Sequence, residues 1–201
     1  MNKRFDIQAN QILSVIVDKI ESTLKCPKFQ EYSGLIEIDT WENIKLKMPH
    51  NRNIAEMGFG FCISNFCELG NFKRIVIINM ENCNQLNLTE DEISAIILHE
   101  LGHLLNDPEP TQVPTYMHCL THEITYDKHL EEDIRINNMM QKEIFADSYA
   151  NHNGYGIELI ASFNKYNEHF DNKIGFHDIR VKKIESKELF EGNVKQIDRN
   201  N

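Results

Sequence analysis

The sequence predicts an α+β fold that combines a small antiparallel or mixed sheet with two long helices. The segments Glu92 to Asn106 and Leu130 to His152 carry apolar residues at helical spacing. Three shorter segments ahead of them, Leu35 to Asp39, Met57 to Phe66 and Lys73 to Asn79, have the alternation or the β-branched and aromatic content of strands. With 201 residues, 41% of them hydrophobic, the chain is long enough to bury one core.

The two ends of the chain differ in composition. Near the N-terminus, apolar residues recur at helical spacing, which predicts a packing helix over about residues 5–24 rather than a secretion signal. These residues are Ile7, Ile12, Ile16, Ile20 and Leu24. From about Lys187 the sequence is polar and charged, as is typical of a tail without fixed structure. We therefore expect a single domain over residues 1–186 and a tail over residues 187–201.

The predicted strands suggest how the sheet is arranged. The turn Glu68 to Asn71, which contains Gly70, separates the last two strands and favours an antiparallel hairpin. Within the first of these strands, Gly58 to Phe61 is a candidate edge strand that faces a cleft, where an extended peptide could add by main-chain hydrogen bonds. An aromatic hairpin packed in the core is an equally good interpretation.

The first long helix begins with a recognisable N-terminal capping signal. Thr89 as N-cap and Glu92 three residues later form a capping box. The apolar face of this helix consists of Ile93, Ile96, Ile97, Leu101 and Leu104. Polar side chains about two turns into such a core helix require an explanation, because their burial is costly unless they are paired.

The polar residues in question form an H-E-x-x-H motif at 99–103. Because residues four apart lie on the same helix face, His99 and His103 can bind one metal ion, and Glu100 lies beside its open side as a general base. Gly102 has no Cβ and allows another element to pack closely. A hydrolytic zinc site takes three protein ligands and leaves one position open, so a third ligand is required.

The second long helix offers that ligand. The short metzincin continuation fails, because Asn106 and Glu109 stand where Gly and His are needed. In the second helix, Glu143 and Asp147 share a face with Ala146 and Ala150, whose small side chains allow close approach. Glu143 can then reach the metal, and Asp147 can accept a hydrogen bond from a ligand imidazole.

With H-E-x-x-H followed by E-x-x-A-D, the chain resembles the gluzincin metallopeptidases, and within them the family of the CAAX prenyl protease and the HtpX heat-shock protease. The likeness spans roughly Lys73 to Ala150. The resemblance implies a zincin-like fold, a single Zn²⁺ bound by His99, His103 and Glu143, Glu100 as catalytic base and Asp147 as a carboxylate behind a ligand. It implies a zinc-dependent endopeptidase in which Glu100 activates a water for attack on a peptide carbonyl.

A second donor to the carbonyl oxygen would help such a reaction. The candidates are His177, Arg180, Tyr149 and Tyr155, and we select His177 as a catalytic residue. The stretch His177-Asp178-Ile179-Arg180 is also the nearest match to a late His-Pro with a nearby Arg that members of the resembled family often carry, although the proline is missing here.

The net charge and the hydropathy of the chain limit the kinds of partner that it can bind. The formal net charge of −10 argues against a nucleic-acid surface, and no apolar run approaches the ~20 residues that a membrane span needs. We therefore expect a protein or peptide substrate. Two alternatives remain open: a non-catalytic zinc protein whose site is closed by a fourth ligand such as Cys119 or His122, and a regulatory protease that cuts one partner.

The number and spacing of the cysteines indicate the redox state of the cellular compartment. The chain has five cysteines, an odd number, at Cys26, Cys62, Cys67, Cys83 and Cys119, and none form a C-x-x-C pair. This pattern indicates free thiols in a reducing environment, so we expect a cytoplasmic protein.

Overall fold

The computed structural model describes residues 5–7, 11–23, 36–47, 58–68, 71–106, 128–170 and 174–186. In these ranges the strands are β1 (Phe5–Ile7), β2 (Ile36–Thr40), β3 (Gly60–Glu68) and β4 (Asn71–Ile78). The helices are α1 (Gln11–Thr23), α2 (Trp41–Lys47), α3 (Met80–Gln85), α4 (Glu90–Asn106), α5 (Lys128–His152), α6 (Gly156–Phe170) and α7 (His177–Ser186). The predicted tail over 187–201 lies outside the described residues.

The four strands form one mixed sheet in the order β1-β2-β4-β3. β1, β2 and β4 run parallel, whereas β3 pairs antiparallel with β4 and occupies an edge. Glu68 pairs with Asn71, so the predicted hairpin is confirmed, with residues 69–70 between the two strands outside the described part. The α+β class with a small mixed sheet is likewise confirmed.

The N-terminal prediction was wrong in one respect. The expected helix over about residues 5–24 starts only at Gln11, and Phe5–Ile7 instead form β1, which pairs with β2. Parallel pairing of Ile7 with Ile38 satisfies backbone groups that a longer helix would have satisfied internally, so the tertiary contact outweighs the helical periodicity. Ile16 and Ile20 are buried as the helical spacing predicted.

The start of β3 also differs from expectation. Gly58 and Phe59 form a turn rather than the beginning of the edge strand, and Gly58 has a φ of +65° that glycine adopts without strain. Phe59 is buried in the core, and its carbonyl accepts a hydrogen bond from the backbone N–H of Asn79 at 2.8 Å. Both interpretations of this segment are therefore partly correct, since β3 is an edge strand and its aromatic neighbour packs inside.

The main core lies between one face of the sheet and helices α1, α4 and α6. It contains Ile38 and Val76 from the sheet and Ile97 and Leu101 from α4. The alternate residues of β4, Ile75 and Ile77, pack on the opposite face with Trp41 and Ile44. Because both faces of β4 are buried, its run of β-branched residues is the pattern expected of a central strand.

The predicted capping box of α4 is confirmed. The Thr89 N–H donates to Glu92 Oε2 at 2.6 Å, and the Glu92 N–H donates to Thr89 Oγ1 at 3.2 Å. Lys165 of α6 donates to the same Glu92 carboxylate at 2.7 Å. These contacts fix where α4 begins. They therefore also fix where the motif at 99–103 lies along the helix relative to the neighbouring elements. None of the helices in the described ranges is long and apolar enough to cross a membrane.

Candidate metal centre

Helices α4 and α5 bring the predicted donors together through an unusually close contact. A Cβ built on Gly102 would lie 2.7 Å from the Cα of Ala146 and 3.1 Å from the Cβ of Tyr149. Since real Cβ atoms do not approach backbone so closely, any larger residue at position 102 would push the helices apart. The predicted role of Gly102 in close packing is therefore confirmed.

Three side chains converge across this contact. The Nε2 atoms of His99 and His103 are 3.1 Å apart, and the Glu143 oxygens lie 3.5 Å from His99 Nε2 and 3.4 Å from His103 Nε2. A tetrahedral ion with ligands at about 2.0–2.1 Å requires its donor atoms to lie about 3.3–3.4 Å from one another. The His99, His103 and Glu143 group therefore fits a metal ion.

Asp147 orients the first histidine. The Nδ1 of His99 lies 2.9 Å from Asp147 Oδ1, so a proton on Nδ1 faces this carboxylate and the Nε2 lone pair is directed at the other two donors. Burial alone would raise the pKa of Asp147, but hydrogen bonds from Arg180 and His99 outweigh it and hold that pKa below its usual range. The carboxylate is thus ionised and accepts hydrogen bonds from Arg180, while its predicted role behind a ligand imidazole stays a prediction.

The electrostatics of the centre favour a bound cation. Burial lowers the pKa of His99, yet the adjoining Asp147 and Glu143 carboxylates outweigh burial and raise it to about 9. Burial likewise opposes ionisation of Glu143, but its contacts with His103 and His99 lower its pKa overall. Without a metal ion, a protonated His99 imidazole supplies the positive charge that the Asp147 and Glu143 carboxylates attract.

Glu100 lies beside the group without belonging to it. It is buried, and this burial raises its pKa despite the opposing effect of His99 and His103. A Cβ built on Gly60, the first residue of β3, would lie 3.6 Å from Glu100 Cγ. The edge strand therefore begins next to the acid that the sequence predicts to be the base.

Arg180 is the residue whose place the sequence did not reveal. It was predicted as a candidate donor to substrate and as the match to the late Arg of the resembled family, but it is buried and contacts Glu143 and Asp147. Its Nε and Nη2 donate to Asp147 Oδ2 and Oδ1, both at 2.7 Å, and its Nη1 lies 2.9 Å from Glu143 Oε2. The signal that could have identified it is the pair Arg180 and Ile184, which stand four apart and are both buried on one face of α7.

His177 is placed differently from the other predicted site residues. Its Nδ1 lies 3.0 Å from Asp178 Oδ1, its Nε2 lies 3.2 Å from Asn164 Oδ1, and its ring meets Phe163 edge-on. These contacts join α7 to α6. Its predicted catalytic role stays a prediction.

The two tyrosines that the sequence offered as donors to substrate, Tyr149 and Tyr155, are buried. Cys119 and His122, which could close the site as a fourth ligand, lie outside the described residues.

In comparisons with known proteins, no family model, no curated protein and no solved structure matches this chain.

Proposed function

We propose that this protein is a zinc-dependent endopeptidase of zincin-like fold, as its resemblance to the gluzincins implies. The observation that carries the proposal is the convergence of His99, His103 and Glu143 at tetrahedral spacing, with Glu100 beside them. Two imidazoles and one carboxylate are a donor set that zinc takes in hydrolytic enzymes.

The donor set is compatible with a hydrolytic site. Among the residues that the structure describes, the group contains three donors, which is the number that a hydrolytic zinc site takes from the protein. When bound there, zinc would lower the pKa of water and polarise a carbonyl oxygen.

Glu100 is suited to move the proton in this reaction. A carboxylate whose pKa is raised by burial is a stronger base than one in water, so it accepts a proton from water more readily. Glu100 would accept the proton from the attacking water and donate it to the amine nitrogen of the leaving segment. Its position one residue after His99 keeps it off the donor face of α4.

The sheet edge supports a peptide as substrate. β3 is an edge strand of the described sheet, and its first residue, Gly60, adjoins Glu100. A peptide that adds to β3 as a further strand would be held by main-chain hydrogen bonds, so its carbonyls would pass the base in an extended conformation.

Metal content and turnover test the proposal separately. We expect about one zinc per wild-type chain, and in His103→Ala and Glu143→Ala a loss of binding larger than the roughly 10-fold to 100-fold that removal of a partner behind a ligand costs. Glu100→Gln should retain the metal and lose about 10²-fold to 10⁴-fold in peptide cleavage, measured by proteome-wide cleavage profiling against the wild type.

Two outcomes would contradict the proposal. If the wild type binds no metal, the centre is not a metal site. If it binds zinc with four protein donors and Glu100→Gln leaves the cleavage profile unchanged, the zinc is structural. Profiling a whole proteome also captures a protease that cuts a single regulatory partner, which a generic peptide assay would miss.

A further inference from the structure

The guanidinium of Arg180 is held by groups that are not metal donors. Its Nε and Nη2 form a fork with Asp147 at 2.7 Å each, and its Cζ lies 4.4 Å from the centre of the Phe163 ring. The fork fixes the plane of the guanidinium and the ring covers one face, while burial excludes solvent. The position of the remaining nitrogen, Nη1, is therefore set independently of Glu143.

The two oxygens of Glu143 have different partners as a result. Oε2 lies 2.9 Å from Arg180 Nη1 and 3.5 Å from His99 Nε2, whereas Oε1 lies 3.4 Å from His103 Nε2. A carboxylate can bind a metal through one oxygen or through both. An ion pair with a fixed guanidinium competes with the metal for the carboxylate oxygen that it contacts, so the fixed Nη1 favours binding through Oε1 alone.

We propose that Arg180 makes Glu143 a one-oxygen ligand and thereby reserves one metal coordination position for water or substrate. This inference rests on the proposed function. If both Glu143 oxygens bound, the protein would supply four donor atoms and a water would be the fifth ligand, which fills the position that a hydrolytic site otherwise keeps for the substrate carbonyl. Arg180 touches neither substrate nor the reacting atoms, so it is a positioning residue that acts through Glu143.

Cobalt(II) alone provides a probe that does not depend on activity. It accepts the same nitrogen and oxygen donors as zinc, and its visible absorption is intense in four-coordinate sites and weak in five- or six-coordinate ones. We expect the intense spectrum from the wild type. Arg180→Met frees Oε2 and should shift the spectrum to the weak form. Arg180→Lys, whose single ammonium cannot hold Asp147 and Glu143 in the same fork, should shift it in the same direction.

Two controls separate this role from a general loosening of α7. Asn151 Nδ2 donates to the Ile184 carbonyl at 3.1 Å and anchors the same helix away from the metal donors. Asn151→Ala should therefore keep the wild-type spectrum. In a Glu143→His background the third ligand has one donor atom to offer, so adding Arg180→Met should leave the spectrum of that background unchanged.

The outcomes distinguish the two proposals. If the wild type binds no cobalt or zinc, the proposed function fails and this inference fails with it. If the wild type binds one ion and the folded Arg180 variants give its unchanged spectrum, only this inference fails. A weak spectrum in the wild type, or a shift in Asn151→Ala equal to that in Arg180→Met, would also overturn it. If circular dichroism shows that Arg180→Met does not fold, Arg180→Lys decides.

Discussion

The two halves of the candidate metal centre are built in different ways. Helices α4 and α5 supply the three donors and touch each other through backbone at Gly102 and Ala146. Helix α7 supplies no donor and reaches the centre through one side chain, Arg180. Within α4 and within α5 the residues that act together lie four apart in the sequence, whereas Arg180 reaches Asp147 from 33 residues away.

This difference separates two tasks. Helical spacing places His99 and His103 one turn apart on α4 and Glu143 and Asp147 one turn apart on α5, and the close contact at Gly102 brings the two pairs together. The spacing does not determine which oxygen or which ring nitrogen each donor presents. That orientation comes from the Asp147 carboxylate beside His99 and from the Arg180 guanidinium beside Asp147 and Glu143. Substitutions in the two halves should therefore have different consequences.

Asp147 is the residue where the two halves meet, and its removal should have the largest effect. Asp147→Ala leaves Arg180 buried without its fork and frees the ring of His99, so we expect a loss of about 3–5 kcal/mol in the free energy of unfolding. Metal affinity should fall about 10-fold to 100-fold because the imidazole is no longer oriented. Denaturant unfolding of the metal-free protein and chelator competition measure the two effects. Unfolding that matches the wild type would show that the pair Asp147 and Arg180 does not join the halves.

The pH dependence of metal binding tests the α4 and α5 half alone. The pKa of His99 is raised to about 9, so below that pH the metal-free protein carries a proton that the metal must displace. Affinity should therefore rise by about tenfold per pH unit through the neutral range and level off near pH 9. The same proton stabilises the metal-free fold fully below the ordinary histidine pKa, and this stabilisation is lost as the pH rises through about 9. Chelator competition at several pH values measures the slope, and a flat profile through the neutral range would contradict this prediction.

The contrast also explains what the sequence could predict. The capping box at Thr89 and Glu92 and the donors of α4 and α5 follow from spacing along one helix, and the structure confirms their placement. Strand β1 and Arg180 could not be found in this way, because each acquires its place from a partner distant in the chain. The spacing of residues along one helix predicts which face of that helix is buried, but not which residue distant in the sequence will pack against it.

Gly102 tests whether backbone contact between α4 and α5 is required. Alanine would improve helix propensity by about 1 kcal/mol, but its Cβ would meet the backbone of Ala146, and such overpacking costs about 1–3 kcal/mol. Because backbone cannot move aside as a side chain can, we expect Gly102→Ala to lower the free energy of unfolding and weaken metal binding. Gly175→Ala is the matched control, since a Cβ there has no atom within 4 Å. Equal stability of the two variants would mean that the helices separate at little cost.

His177 should show the smallest effect. A donor to the carbonyl oxygen of the substrate would be worth about 10²-fold to 10³-fold in kcat, whereas a residue that only joins α7 to α6 would be worth one neutral hydrogen bond, about 0.5–1.5 kcal/mol of stability. Its ring nitrogens lie within 3.2 Å of Asn164 and Asp178 oxygens, which favours the second role. We therefore expect His177→Ala to change kcat less than about tenfold. The measurement is kcat on a cleaved peptide at full zinc loading, beside Asn164→Ala, which removes the same interhelical contact without touching the imidazole. A loss of 10²-fold or more in His177→Ala alone would restore the imidazole as the donor and would mean that it leaves Asn164 when substrate binds.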